Sequence, residues 1–294
     1  MKQTLSNDLL SVSIDTFGAE LHSIVNKHTN HQYLWQGDKA FWGRRSPVLF
    51  PIVGSLWNGC YRMDGKEFAL GQHGFARDRE FVVVEDAPDD EAWFALEADD
   101  ASLALYPRRF RLEIGYRLQE ARLTVMWRVT NLDDKEMTFQ IGAHPAFNYP
   151  DFNEADDVHG YFCFDNRTLS TQLLAEKGCM GGDTAPVTLD ADGMLPLTGN
   201  TFAADALVLA DGQVHRVSML DKNHAPYLTL LFAAPLVGLW SPTSGKAPFV
   251  CIEPWWGRCD DAGFNGDFSE RKYVNTLAPG KTFEASYMVI FDNF

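Results

Sequence analysis

Strict two-residue alternation governs the middle of the chain. In FRLEIGYRL, Phe110, Leu112, Ile114, Tyr116 and Leu118 fall on one face, with Arg111, Glu113 and Arg117 on the other. RLTVMWRVTNL repeats the arrangement, setting Leu123, Val125, Trp127 and Val129 against Arg122, Thr124, Arg128 and Thr130. Successive side chains of a strand point to opposite faces, so both segments are expected to be half-buried antiparallel strands. The intervening LQEA reads as the turn of a hairpin. Further expected strands are LSVSIDT, FVVVED, EAWFALEA, KEMTFQIG, ALVLAD, RVSML, YLTLLFA, LVGLWS, FVCIEP and FEASYMVIF. Most are separated by Gly, Pro, Asn or Asp clusters. No twelve-residue stretch carries a helical stripe, and AFWGRR at 40–45 is the one place where a short helical turn is expected. DAPDDEAW at 86–93 and NEADDVHG at 153–160 read as solvated loops. No linker, repeat or composition shift divides the chain, so residues 1–294 are expected to form one all-β domain. Two sheets packed face to face would bury this many alternating strands.

Three short segments place ionisable residues in apolar, turn-rich surroundings: GQHGFARD at 71–78, IGAHPAFNYP at 141–150 and CIEPWWGRCD at 251–260. They centre on His73, His144 and Glu253, with Phe75, Arg77, Phe147, Trp255 and Trp256 alongside. Glu253 stands out because a carboxylate buried without partners is costly, so it is paired, protonated or functional. A structural ion pair with Arg258 is the plain alternative. For His144, at a strand end before Pro145, the alternative is a ring packed in the core on a backbone carbonyl. For Arg77, which with Arg79 alternates with Asp78 and Glu80, it is a salt-bridged strand surface.

Composition narrows the partners. A formal charge of −15 repels nucleic acid and anionic membranes. The N-terminus lacks the apolar core of a secretory signal, and no run is long enough for a membrane span. Five cysteines with no CxxC pair suggest reduced thiols and a cytoplasmic setting, with Cys251 and Cys259 as packing residues. The sequence holds no HExxH or spaced cysteine ligands, so no metal site is expected. Neither a phosphate-cradling GxGxxG nor a GxSxG hydrolase elbow occurs.

Taken in order, FGAEL at 17–21, SPVLFPIVG at 46–54, HGFARD at 73–78, AHPAFN at 143–148 and IEPWWG at 252–257 resemble the aldose 1-epimerase (galactose mutarotase-like) family. The similarity runs along nearly the whole chain. It is strongest to the mutarotase-related branch associated with lactose and tagatose catabolism, and extends to hexose-6-phosphate 1-epimerases. The resemblance implies a large antiparallel β-supersandwich, an open sugar cleft and anomer interconversion without cofactor or metal. It makes His144 the general acid, Glu253 the general base and His73 a sugar-orienting residue. Gln72, Arg77 and Asp205 are implied as substrate contacts. The chain departs from the family at two substrate arginines. FPIVGSLWNG lacks the one carried by ordinary galactose mutarotases. The position used in the hexose-phosphate branch is Gly43, next to Arg44 and Arg45, of which Arg44 is favoured for the cleft. The partner is then a sugar or sugar phosphate. The resemblance leaves a non-catalytic sugar-binding protein as the rival from another class. A glycosidase would need a second carboxylate beside Glu253, and none is evident.

Overall fold

The hairpin of Phe110–Gln119 and Arg122–Asn131 pairs Leu112 with Val129, Ile114 with Trp127 and Tyr116 with Val125. The register therefore puts most apolar positions of one strand opposite an apolar position of the other, with Phe110 facing Asn131 at the end. A slip of one residue would expose all of them. This hairpin lies inside a nine-stranded sheet whose ends are Met194–Pro196 and Val82–Val84. Its long central strands include Thr282–Phe291, which pairs Arg122–Asn131 on one side and Pro226–Phe232 on the other. The structure, a computed structural model, describes residues 1–292.

A second sheet has eight strands. Phe249–Trp256 lies well inside it, between Leu236–Trp240 and the two short strands Ile141–Ala143 and Ala146–Asn148. Trp256 meets Trp127 of the nine-stranded sheet at 5.6 Å between ring centroids and Phe283 at 6.5 Å. The inner faces of both sheets join one apolar core, which holds Leu112, Val129, Val250, Ile252 and Val289. A three-stranded N-terminal sheet, Lys2–Ser6, Leu10–Asp15 and Glu20–Asn26, adds to the same core through Val12, Ile14 and Ile24.

Two expectations need correction. KEMTFQIG is not one strand but two, Met137–Phe139 and Ile141–Ala143, because Gln140 turns its buried amide to the backbone. Its Oε1 accepts from Val53 N–H and its Nε2 donates to Lys272 O. AFWGRR forms no helix: Phe41 and Trp42 N–H donate to Asp38 O, making a turn that goes no further. Among the described residues the α-helix is instead Asp100–Leu105, capped reciprocally by Asp99 and Ser102, with a sequence too short to show periodicity. No described helix is long and apolar enough to cross a membrane.

Replacing Trp127 by Ala removes the ring that ties the two sheets and is expected to cost about 3–5 kcal/mol. Urea unfolding checks this. A loss below about 1 kcal/mol would mean that the inter-sheet contact is not where the core is held.

Candidate active site

Alternation along Phe249–Trp256 sorts its side chains into two environments. Val250 and Ile252 enter the core between the sheets, and Trp256 packs there on Trp127. Phe249, Cys251, Glu253 and Trp255 take the opposite face. That face is covered as well, by two small apolar clusters built around Trp35, Ala146 and Phe249 and around Leu49, Val53 and Trp255. Glu253 consequently sits 1% exposed in an apolar layer.

The neighbouring strands make room for the Trp255 ring with glycine. Gly142 is paired with Trp255 and Gly238 with Glu253. A Cβ on Gly238 would lie 2.4 Å from the Trp255 ring, and one on Gly142 would lie 2.7 Å from it. The indole Nε1 donates to Ala143 O at 3.2 Å.

His144 follows Ala143 at the end of its strand, 8% exposed. Its Nε2 stands 3.3 Å from Glu253 Oε2. Trp42 stacks on the imidazole at 4.7 Å and 26°, and Trp240 meets its edge at 5.6 Å. Glu253 Oε2 and His144 Nδ1 are buried without a hydrogen-bond partner in the chain, so the pair is close but not locked. His73 completes the group, its ring 5.7 Å from that of His144. Its backbone is left-handed, φ 65°, and is followed by Gly74, where a Cβ would strike Phe50 O at 2.1 Å. His73 Nδ1 accepts from Gly54 N–H at 3.0 Å. That bond fixes the tautomer and leaves Nε2–H as a donor.

Burial sets the protonation of this group. Desolvation lowers His144 to about 3, helped by the cations of Arg77 and Arg44. Desolvation raises Glu253 well above the usual carboxylate range, and the Asp205 carboxylate adds to the shift. Burial also lowers His73 well below its ordinary value. Burial thus favours the uncharged form of each partner, the carboxyl of Glu253 and the neutral imidazole of His144. The imidazolium that a general-acid role for His144 suggests is not the resting form.

These residues line a cleft of about 290 Å³ with Gln72, Arg77, Asp205, Trp42, Trp240 and Trp255. Asp205 is exposed at φ 84°, its Oδ1 accepting from Ala206 N–H. Arg77 Nη2 donates to Gln72 O at 2.7 Å, and desolvation lowers its guanidinium to about 10. Arg44 lies just outside the cleft lining and bonds Asp78 at 2.9 Å, and Arg77 approaches the same carboxylate at 3.8 Å. Arg45 turns elsewhere, packing its guanidinium toward Gly37. Neither arginine lines the cleft, although the Arg44 cation acts on His73 and His144.

Several assignments change. Arg258 bonds Asp261 and Cys259 O rather than Glu253, so the ion-pair alternative is set aside. Phe147, Phe75 and Trp256 do not wall the cleft: all three pack in the main core. Trp42 and Trp240 take that place and were not singled out from sequence. The signal for Trp240 lay in its spacing from Gly238, which shares a face with it. That spacing became informative only once Gly238 was known to oppose Glu253.

A supersandwich whose aromatic cleft ends on a buried His–Glu pair belongs to the galactose mutarotase-like proteins. The chain is a member of the aldose 1-epimerase family, whose profile matches residues 1–262. It is 31% identical to the chromosomal Protein LacX of Lactococcus lactis subsp. lactis, over 98% of this chain and 99% of that one. A galactose mutarotase related enzyme from Lactobacillus acidophilus superposes with TM-score 0.92 at 31% identity, covering 100% of this chain and 98% of its own. A galactose mutarotase-like protein from Lactobacillus casei gives 0.93 at 32%, covering 99% and 100%.

The neutral state of His144 is open to measurement. Its imidazole resonances are expected to stay those of a neutral ring throughout the neutral range, titrating near pH 3. A titration near the ordinary histidine value of about 6.5 would mean that the ring is solvated.

Proposed function

We propose that the chain is a mutarotase that interconverts the α and β anomers of an unphosphorylated aldohexose, with His144 and Glu253 as the catalytic residues. The observation that carries this is the 3.3 Å separation of His144 Nε2 and Glu253 Oε2 at the floor of the cleft. Anomer exchange requires a proton to leave the C1 hydroxyl and a proton to reach the ring oxygen. The C1–O5 bond then breaks to give the aldehyde. Rotation about C1–C2 and reclosure reverse both transfers. A pair holding one proton performs both in one passage, with its proton count unchanged. Family resemblance gives Glu253 the C1 hydroxyl proton and His144 the ring oxygen. For that assignment the resting proton crosses from Glu253 to His144 as sugar hydroxyls enter and solvate the charges. The short gap between the two atoms suits a direct crossing. No cofactor is needed, because every step is a proton transfer coupled to C–O cleavage or formation.

The rest of the lining supports a sugar. His73 Nε2–H is a fixed donor, while Gln72 and Asp205 offer an amide and a carboxylate for ring hydroxyls. The apolar faces of Trp42, Trp240 and Trp255 suit the C–H face of a pyranose. The charge arrangement favours a neutral hexose over its phosphate. Arg44 and Arg77 share Asp78, and Arg77 is further committed to Gln72 O. The main core runs from Leu5 to Phe291, which supports treating residues 1–294 as one functional domain.

Two variant sets test the reading. Glu253→Gln and His144→Asn are each expected to lower mutarotation at least about a hundredfold while leaving the fold intact, because a positioned acid or base contributes roughly 10²–10⁴. Polarimetry or NMR exchange on free hexoses measures it. Wild-type rates in both variants would sink the assignment and leave a sugar-binding protein. Arg77→Ala is expected to weaken free and 6-phosphorylated hexoses by similar factors. Were Arg77 a phosphate contact, the phosphorylated sugar alone would lose the roughly 1.5–3 kcal/mol of a charged hydrogen bond.

A further inference from the structure

Cys251 takes no part in the chemistry above, yet it shares a strand face with Glu253, two positions before it. Its Sγ, a ring nitrogen of His144 and a carboxylate oxygen of Glu253 all lie within 4.8 Å of one another. All three residues are more than nine-tenths buried. His144 Nδ1 and Glu253 Oε2 are also without a hydrogen-bond partner in the chain. The Glu253 oxygen, which faces the His144 ring, is thus a polar atom with coordinating capacity to spare.

The donor set is one that zinc selects, namely thiolate, imidazole and carboxylate, at roughly 2.0–2.3 Å from the metal. In a tetrahedron of such bonds the donor atoms stand roughly 3.5 Å apart. His144 Nε2 and Glu253 Oε2 already meet that spacing at 3.3 Å. From a separation of at most 4.8 Å the sulfur has to close in by roughly 1.3 Å or less, within the reach of a side-chain adjustment. Charge also balances. As ligands, the thiolate of Cys251 and the carboxylate of Glu253 supply two negative charges, which match a divalent ion beside a neutral imidazole. A neutral assembly suits an apolar layer, whereas a bare cation there does not. The cleft supplies a fourth position for water or a sugar hydroxyl.

We propose that His144, Cys251 and Glu253 form a binding site for a thiophilic divalent cation of the zinc type, and that the ion shuts off the His144–Glu253 pair. The inhibitory half of this proposal rests on the catalytic reading above. The binding half does not. Cobalt(II) is the probe, because a cysteine thiolate bound to it gives a near-ultraviolet charge-transfer band that histidine and carboxylate ligands do not.

One equivalent of cobalt added to the metal-free protein is expected to produce that band. Cys251→Ala and Cys251→Ser are both expected to lack it. The serine variant keeps the side-chain size, so it serves if the alanine variant folds poorly. Absence of the band in the wild type, or its persistence in either variant, overturns the site. In parallel, zinc is expected to inhibit mutarotation competitively with hexose, with full recovery on chelation. The Cys251 variants retain the basal rate and require more than about tenfold higher zinc for the same inhibition. A cobalt band in a protein that mutarotates no hexose upholds the site and removes the catalytic reading. Active enzyme that binds cobalt but ignores zinc overturns the inhibitory role.

Discussion

Everything at the cleft follows from one constraint: the strand Phe249–Trp256 is covered on both faces. On one side it packs against the nine-stranded sheet through Val250, Ile252 and Trp256. On the other it lies under two smaller apolar clusters. A two-sided strand has no solvated position at which to put a carboxylate, so Glu253 is desolvated wherever its rotamer points. Ionisation there is disfavoured, and burial pushes the carboxyl well above the usual carboxylate range. The same layer strips water from His144 and keeps that ring neutral. Acid and base strength are thus products of sheet packing before any ligand is considered.

Rigid surroundings hold this pair in place. Trp255 fits across Gly142 and Gly238, one on each adjacent strand, with its nitrogen tied to Ala143 O. Trp42 lies flat on His144 and Trp240 stands at its edge, so the imidazole is held on two sides by rings. The rim is arranged differently. Arg44, Asp78, Arg77 and the Gln72 carbonyl form a chain of charged and polar contacts that sets the HGFARD segment against the cleft. Ordered aromatic walls suit a ligand that is apolar on one face.

Much of this was legible in the sequence, for reasons that also explain what was not. Long alternating strands such as Phe110–Gln119 announce themselves because one face is wet. The two-sided strands of the other sheet carry no such pattern, and FVCIEPWW shows only that a carboxylate is out of character. His73, His144 and Glu253 were identifiable as types in unusual surroundings, and the order of motifs joined them. Sequence could not tell which of Trp255 and Trp256 faces the cleft, since that depends on which side the second sheet packs. Trp42 and Trp240 were invisible for a related reason: they reach His144 from a turn and a neighbouring strand, through contacts with no local signature. The break at Gln140 depended on partners at Val53 and Lys272, far away in sequence.

The bond from Gly54 N–H to His73 Nδ1 separates two functions that a histidine often combines. A ring whose acceptor nitrogen is occupied by the main chain, and whose protonation is suppressed by burial, presents the same N–H to a ligand across the working pH range. Occupancy of the cleft is then insensitive to acidity where His73 is concerned. On the proposed reading, turnover instead depends on the proton shared by His144 and Glu253, a separate pair whose charged forms burial disfavours. Under that reading, acidity would act on exchange while leaving the grip of His73 on its ligand unchanged.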